Sequence, residues 1–187
     1  PIPTLEDLKN PLDEVIEPRA TQEEMTNFIE TELTESLKGL PTRTTQFGRF
    51  DKGLAYTILM KYYMHEKNWA KAEECGRELL KAEYGYGLMD RYADIFTLEN
   101  EGNKEIIFAC TEERGTNLQL WHDHALPGNY PTKNASIQKW DGYKVPWPFY
   151  RTFEEGDDRL SVLVGEYVGT DGVLFNEESD IAKHGNL

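Results

Sequence analysis

The sequence is short of apolar residues, of basic charge and of cysteine, and each shortage closes off a class of protein. Only 39% of the 187 residues are apolar while 29% are charged, so the core must be lean and much of the surface irregular and solvated. No window approaches the roughly 18 consecutive apolar residues of a membrane-spanning helix, and the chain opens on Pro1-Ile2-Pro3-Thr4 with neither a basic nor an apolar leader. Lys and Arg number 20 against 34 Asp and Glu, a formal net charge of -14 that repels phosphate backbones and anionic headgroups. Nucleic acid is therefore not an expected partner, whereas an uncharged ligand meets no such penalty. A heavily sulfated or uronate-rich one would need a dense Lys/Arg cluster, which the sequence does not have. Two cysteines make no disulfide framework. Cys75 in a helical pattern and Cys110 after a strand-like run read as small buried thiols, with a bridge between them left open.

Catalytic and cofactor signatures are missing too. There is no Gly-rich phosphate loop, nucleophile elbow or zinc-protease helix, so neither a cofactor nor an enzymatic activity is expected. Glu154-Glu155 and Asp157-Asp158 crowd four acids into five positions. A glycosidase needs two carboxylates set apart across a cleft, so this group reads as a solvated turn with Arg159 able to pair with one member. Glu73-Glu74 and Glu177-Glu178 read as solvated faces. His122-x-His124 would put two imidazoles on one side if extended, but no third ligand stands at a recognisable spacing, and no metal is expected.

What is present is helical hairpin patterning, then a long aromatic loop. Residues 1–20 hold four prolines among alternating acids and suit an irregular lead-in draped over a surface. Thr21-Gln22-Glu23-Glu24 is a capping box opening a helix, with Met25, Phe28, Ile29, Leu33 and Leu37 at helical spacing and Gly39 and Pro41 as stop signals. A second helix carries the stripe Leu54, Ile58, Leu59, Tyr62 and Tyr63. A third, capped by Asn68, carries Ala72, Cys75, Gly76, Leu79 and Leu80. Tyr56, Leu59, Tyr63 and Ala72 fall at tetratricopeptide (TPR) spacings, although Met60 stands where the repeat has glycine and Gly76 where it has phenylalanine. The spacing predicts a short helix over 89–96 with Tyr92, Ile95 and Phe96 inward. Ile106-Ile107-Phe108-Ala109 reads as a strand or an extended buried segment.

From 111 to 150 the chain turns polar and aromatic, with three of its four tryptophans. A loop this long is either functional or disordered, and its bulky rings argue against disorder. Sugars offer C–H patches on a ring face and hydroxyls at the rim, so flat aromatics edged by polar side chains suit them. Trp121, Tyr130, Trp140 and Tyr143 are the stacking candidates, and Asn117, Gln119, His122 and Asp123 the polar ones. The plainer alternative is that Trp140, Tyr143 and Trp147 only pin the loop to the helices.

The order of these blocks is informative. Lys52-Gly53-Leu54-Ala55, Tyr62-Tyr63 and Trp69-x-x-Ala72 run into Tyr86-Gly87-Leu88, Tyr92, Phe96 and Glu105-Ile106-Ile107-Phe108. Farther on come Tyr143-x-Val145-Pro146 and Phe149-Tyr150-Arg151-Thr152-Phe153, closing on Gly156-Asp157-Asp158-Arg159. Over about residues 18–165 the chain resembles the SusD/RagB-like family, surface glycan-binding lipoproteins that work beside an outer-membrane TonB-dependent transporter. The resemblance implies a mainly α fold of TPR-like helical hairpins, an α-α superhelix, with long irregular loops and a short extended segment. Residues 21–100 would be the helical part and 101–187 a loop-rich ligand-binding part packed on it, within one structural domain. It also implies a glycan ligand, a transporter partner and a place on the outer-membrane surface through a lipid anchor. Family members are longer, with a lipidated N-terminal cysteine and further helical sections, so the chain is expected to be a middle fragment. Two other classes stand beside this one: a TPR-like scaffold for another protein, and a carbohydrate-active enzyme.

Overall fold

The computed structural model describes residues 18–112, 121–134 and 137–184, together with Lys9. The lead-in expected over 1–20 lies almost entirely outside the described residues. The fold is mainly helical. Two compact units can be distinguished, the first built on residues 18–87 and 104–110, the second on 88–103 and the described part of 111–184.

Helix α1 (Gln22–Gly39) starts where local chemistry dictates. The Thr21 hydroxyl accepts from Glu24 N at 3.2 Å and the Glu24 carboxylate accepts from Thr21 N at 2.8 Å, satisfying two amides that have no helical partner. The Thr21 N–H bond, with a second donated by the Thr21 hydroxyl at 3.0 Å, holds the Glu24 carboxyl below its ordinary pKa. Its Leu33 and Leu37 pack on the core of the first unit, formed by Leu59 and Tyr63 of α2 (Lys52–His65) and Ala72 and Cys75 of α3 (Trp69–Leu79). Met25 and Phe28, expected inward, are exposed.

The α2–α3 hairpin carries both caps in side chains. Asn68 Oδ1 accepts from Lys71 N at 3.3 Å. Asp51, buried at the start of α2, accepts from Leu54 N at 3.0 Å and from Thr44 N at 3.2 Å. The seam of α2 departs from the expected stripe: Gly53, Ala55, Leu59 and Tyr63 are buried, while Ile58 faces out and Leu54 and Tyr62 flank. This helix is apolar around most of its circumference, so the small Gly53 and Ala55, which permit close approach, select the face. On α3 the expected Ala72, Cys75 and Leu79 are buried. Leu80 is exposed, because the helix has ended before it. Lys71 reaches back to Glu30 at 3.0 Å and lies over the Tyr63 ring at 5.0 Å.

A second apolar group completes the first unit. Tyr84 is almost fully buried, edge-on to Tyr56 and stacked on Tyr86 with centroids 6.0 Å apart. Arg43 donates to the Tyr84 carbonyl at 2.8 Å while its guanidinium lies 4.8 Å from the Tyr86 ring centre. Burial, with the Glu78 carboxylate nearby, pushes the Tyr84 hydroxyl up to about 12. Glycine at 53 allows this approach, since a Cβ there would collide with the Tyr86 hydroxyl.

Residues 106–109, expected as a strand or buried segment, are half-buried and join no sheet, although Phe108 packs on Phe50 with centroids 5.6 Å apart. A strand needs a partner to satisfy its backbone, and none of the described residues supplies one. Cys75 is buried, but Cys110 is exposed, contrary to expectation, and both thiols are free.

In the second unit, residues 92–96 form a 3-10 turn rather than an α-helix. Its Ile95 is half-buried, but Tyr92 and Phe96 face solvent and pack edge-to-face on each other at 5.2 Å. Its first amide, Tyr92 N, donates to Asp158 Oδ2 at 2.7 Å, a cap 66 residues away. The acid-rich turn behaves as the sequence suggests, with Arg159 gripping Asp157 through its Nε at 2.9 Å. Short helices α4 (Trp121–Ala125) and α5 (Trp147–Tyr150) precede a hairpin of β1 (Tyr167–Val168) and β2 (Leu174–Phe175), paired antiparallel as Tyr167 with Phe175 and Val168 with Leu174. Helix α6 (Glu177–His184) follows, opened by a reciprocal cap in which Asn176 Oδ1 accepts from Ser179 N at 3.0 Å and Ser179 Oγ accepts from Asn176 N at 2.9 Å.

Candidate aromatic binding site

A five-residue helix leaves nearly all its carbonyls without helical partners; in α4 those of Asp123 and His124, with that of Leu126 just beyond the helix, find theirs in a segment fifteen or more residues on. Trp140 N donates to Asp123 O at 2.6 Å, Asp141 N to Leu126 O at 3.0 Å, and Gly142 N and Tyr143 N to His124 O at 2.6 and 2.9 Å. The turn that allows this has Asp141 in the left-handed region at φ 57°, which aspartate tolerates better than most residues. Gly142 comes so close that a Cβ on it would stand 3.2 Å from His124 O. The Asp141–Lys144 ion pair at 3.1 Å flanks the turn.

This clamp brings four rings together. Trp121 and Tyr143 stack with centroids 5.0 Å apart and planes 22° from parallel. His124 lies 5.5 Å from Tyr143 and meets Trp140 edge-on at 4.7 Å. Trp121, Trp140 and Tyr143 are 65%, 45% and 55% exposed, so they stand as a ledge rather than as a core. Trp140 Nε1 donates to Gln138 Oε1 at 3.0 Å, which fixes the indole's tilt.

The other candidates go elsewhere. Tyr130 is half-buried against Tyr167 at 5.0 Å, and its carbonyl accepts from Lys139 Nζ at 2.8 Å. Tyr167 stacks on Phe175, which neighbours Trp147, so Tyr130 belongs to the packing around the hairpin. Burial pushes the Tyr167 hydroxyl upward in pKa, and that hydroxyl donates to Asn129 Oδ1 at 2.8 Å. Asp123 is 4% exposed, so its side chain is buried instead of meeting solvent, and it joins the site through the carbonyl that accepts from Trp140 N. Asn117 and Gln119 lie outside the described residues, as does the side chain of His122. Because 121–125 is helical rather than extended, positions 122 and 124 do not share a face. Among the described residues no three His, Cys, Asp or Glu side chains gather as a metal site requires. Trp147 takes the pinning role: half-buried, it donates from Nε1 to Asp180 Oδ2 on α6 at 2.8 Å.

Comparison with protein-family models, curated proteins and solved structures found no match for this chain.

Sequence reasoning had not placed His124 among the binding residues. Read as helix, the run Trp121-His122-Asp123-His124 sets positions 121 and 124 one turn apart, on one face. That spacing was the available signal. Chemically, the ledge offers apolar ring faces beside polar ring edges, an arrangement for holding a ligand by surface contact.

Proposed function

We propose that the protein is a SusD-like surface glycan-binding protein, which captures oligo- or polysaccharide and passes it to a TonB-dependent outer-membrane transporter. The observation that carries this reading is the exposure of three aromatic rings on a ledge whose backbone is clamped in place. Large rings cost free energy in water unless a partner covers them, and a clamped loop loses little entropy when a sugar does so. In this proposal the α2–α3 hairpin is one TPR-like repeat of an α-α superhelix, with Ala72 small where Tyr63 packs; both are buried in one cluster. The place of action is the outer-membrane surface, the anchor being a lipid, and no bond is made or broken.

Affinity electrophoresis in gels containing starch, β-glucan, xylan or mannan tests it. Retardation in at least one gel, reduced by Trp121→Ala and by Trp140→Ala, supports the proposal. Free migration in all of them counts against it. The second reading, a repeat scaffold holding another protein, draws on Phe28, Ile58 and Trp69, which are exposed on the helices of the first unit. Loss of a protein partner on replacing those three, with no glycan retardation, would favour the scaffold.

A further inference from the structure

We infer that His124 is the ledge's hydroxyl reader, a ligand-binding residue whose imidazole selects which sugar is held; this rests on the glycan-binding reading above. The ring is half-buried and wedged between Tyr143 and Trp140, so its position is set by both. Its polar capacity is not spent on the protein: among the described residues no group hydrogen-bonds the imidazole, and neither nitrogen belongs to the sealed, unpartnered polar atoms of the molecule. The polar groups around it are differently placed. Trp140 Nε1 is engaged by Gln138, Asp141 by Lys144, and Lys139 by the Tyr130 carbonyl, while Asp123 is buried.

Gly142 adds no side chain beside the ring. A Cβ there would stand 3.7 Å from Nδ1, in contact with it. A neutral imidazole donates from one nitrogen and accepts at the other, and each sugar hydroxyl does both. A sugar with its C–H face on Trp121 or Trp140 would therefore meet at His124 a group able to distinguish the presence and direction of a hydroxyl. Stacking alone is tolerant of such detail. A closed site that hydrogen-bonds a hydroxyl rejects the analogue lacking it by about 10⁴- to 10⁵-fold. On a half-exposed ring, where water substitutes, roughly tenfold is expected.

Calorimetry on the full chain decides the matter, using the best-retained oligosaccharide of the neutral panel and its monodeoxy analogues. The wild type should bind one deoxy analogue about tenfold more weakly than the parent sugar. His124→Phe, which keeps a ring of similar size in the wedge, should bind the parent sugar about tenfold more weakly and lose that preference. Equal affinity and an unchanged deoxy preference in His124→Phe would overturn the inference while leaving the glycan reading intact. No binding by the wild type would overturn both. Should His124→Phe fail to fold, the imidazole ¹⁵N shifts of the wild type decide: movement on sugar titration supports the assignment, and no movement overturns it.

Discussion

Replacing Gly53 by alanine should destabilise the first unit even though alanine is the better helix former. The added Cβ would collide with the Tyr86 hydroxyl oxygen and stand 2.8 Å from Cζ, inside contact distance. Tyr86 has little room to retreat, being stacked on Tyr84 on one side and covered by the Arg43 guanidinium. Overpacking of this kind costs about 1–3 kcal/mol, and disturbing the cation–π contact adds about 1 kcal/mol. Helix propensity returns at most about 1 kcal/mol, less in a first turn. The net loss is about 1–3 kcal/mol, which for a chain of this length lowers Tm by roughly 5 °C. Urea titration followed by fluorescence should show a lower midpoint at unchanged slope. Adding Tyr86→Phe removes the nearest clashing atom, so the double variant should recover part of the loss, a coupling of about 1 kcal/mol. Stability of Gly53→Ala equal to or above the wild type would refute the packing of Tyr86 against the start of α2.

Asp51→Ala removes an acceptor shared by Leu54 N and Thr44 N in a buried site; it should cost about 2 kcal/mol by denaturant titration, and Asp51→Asn, which keeps an acceptor, under about 1 kcal/mol. Arg159 holds the Asp157 carboxyl down at about 2 in the folded protein. A depressed carboxyl stabilises above its unfolded value near 4 and loses that contribution as pH falls from about 4 to 2, so carboxyl NMR should find Asp157 titrating late, and Arg159→Ala should raise it toward the ordinary range while the residue-159 backbone N–H still holds it partly down. With a chromogenic disulfide reagent, exposed Cys110 should react in the native protein. Cys75 should react only on unfolding, since burial raises its pKa and shields it.

Features set by neighbours in sequence were legible. The Thr21–Glu24 box placed the start of α1, and Asn68 placed that of α3, because each satisfies amides within one turn. Features set by distant partners were not. The face of α2 depends on what approaches it, and an all-round apolar helix does not reveal that. Residues 106–109 have strand composition but no ladder, whereas β1 and β2 are two residues each, too short for an alternating pattern. Helix α6 is acid-rich and is docked through Trp147 to Asp180, 33 residues apart. In the candidate site the residue types pointed to ring stacking, but not to which rings meet. Tyr130 left for Tyr167, and His124 joined Trp140 and Tyr143 because 121–125 is helical.

The central claim, that the clamped ledge holds sugar by ring contact, is tested most directly by titrating neutral oligosaccharides into wild type and Trp121→Ala/Trp140→Ala in a calorimeter. The account predicts measurable wild-type affinity with a negative heat-capacity change. It also predicts at least tenfold weaker binding, about 1.4 kcal/mol or more, in a double variant that remains folded. Unchanged affinity in the double variant, or no heat from any sugar with the wild type, would contradict it.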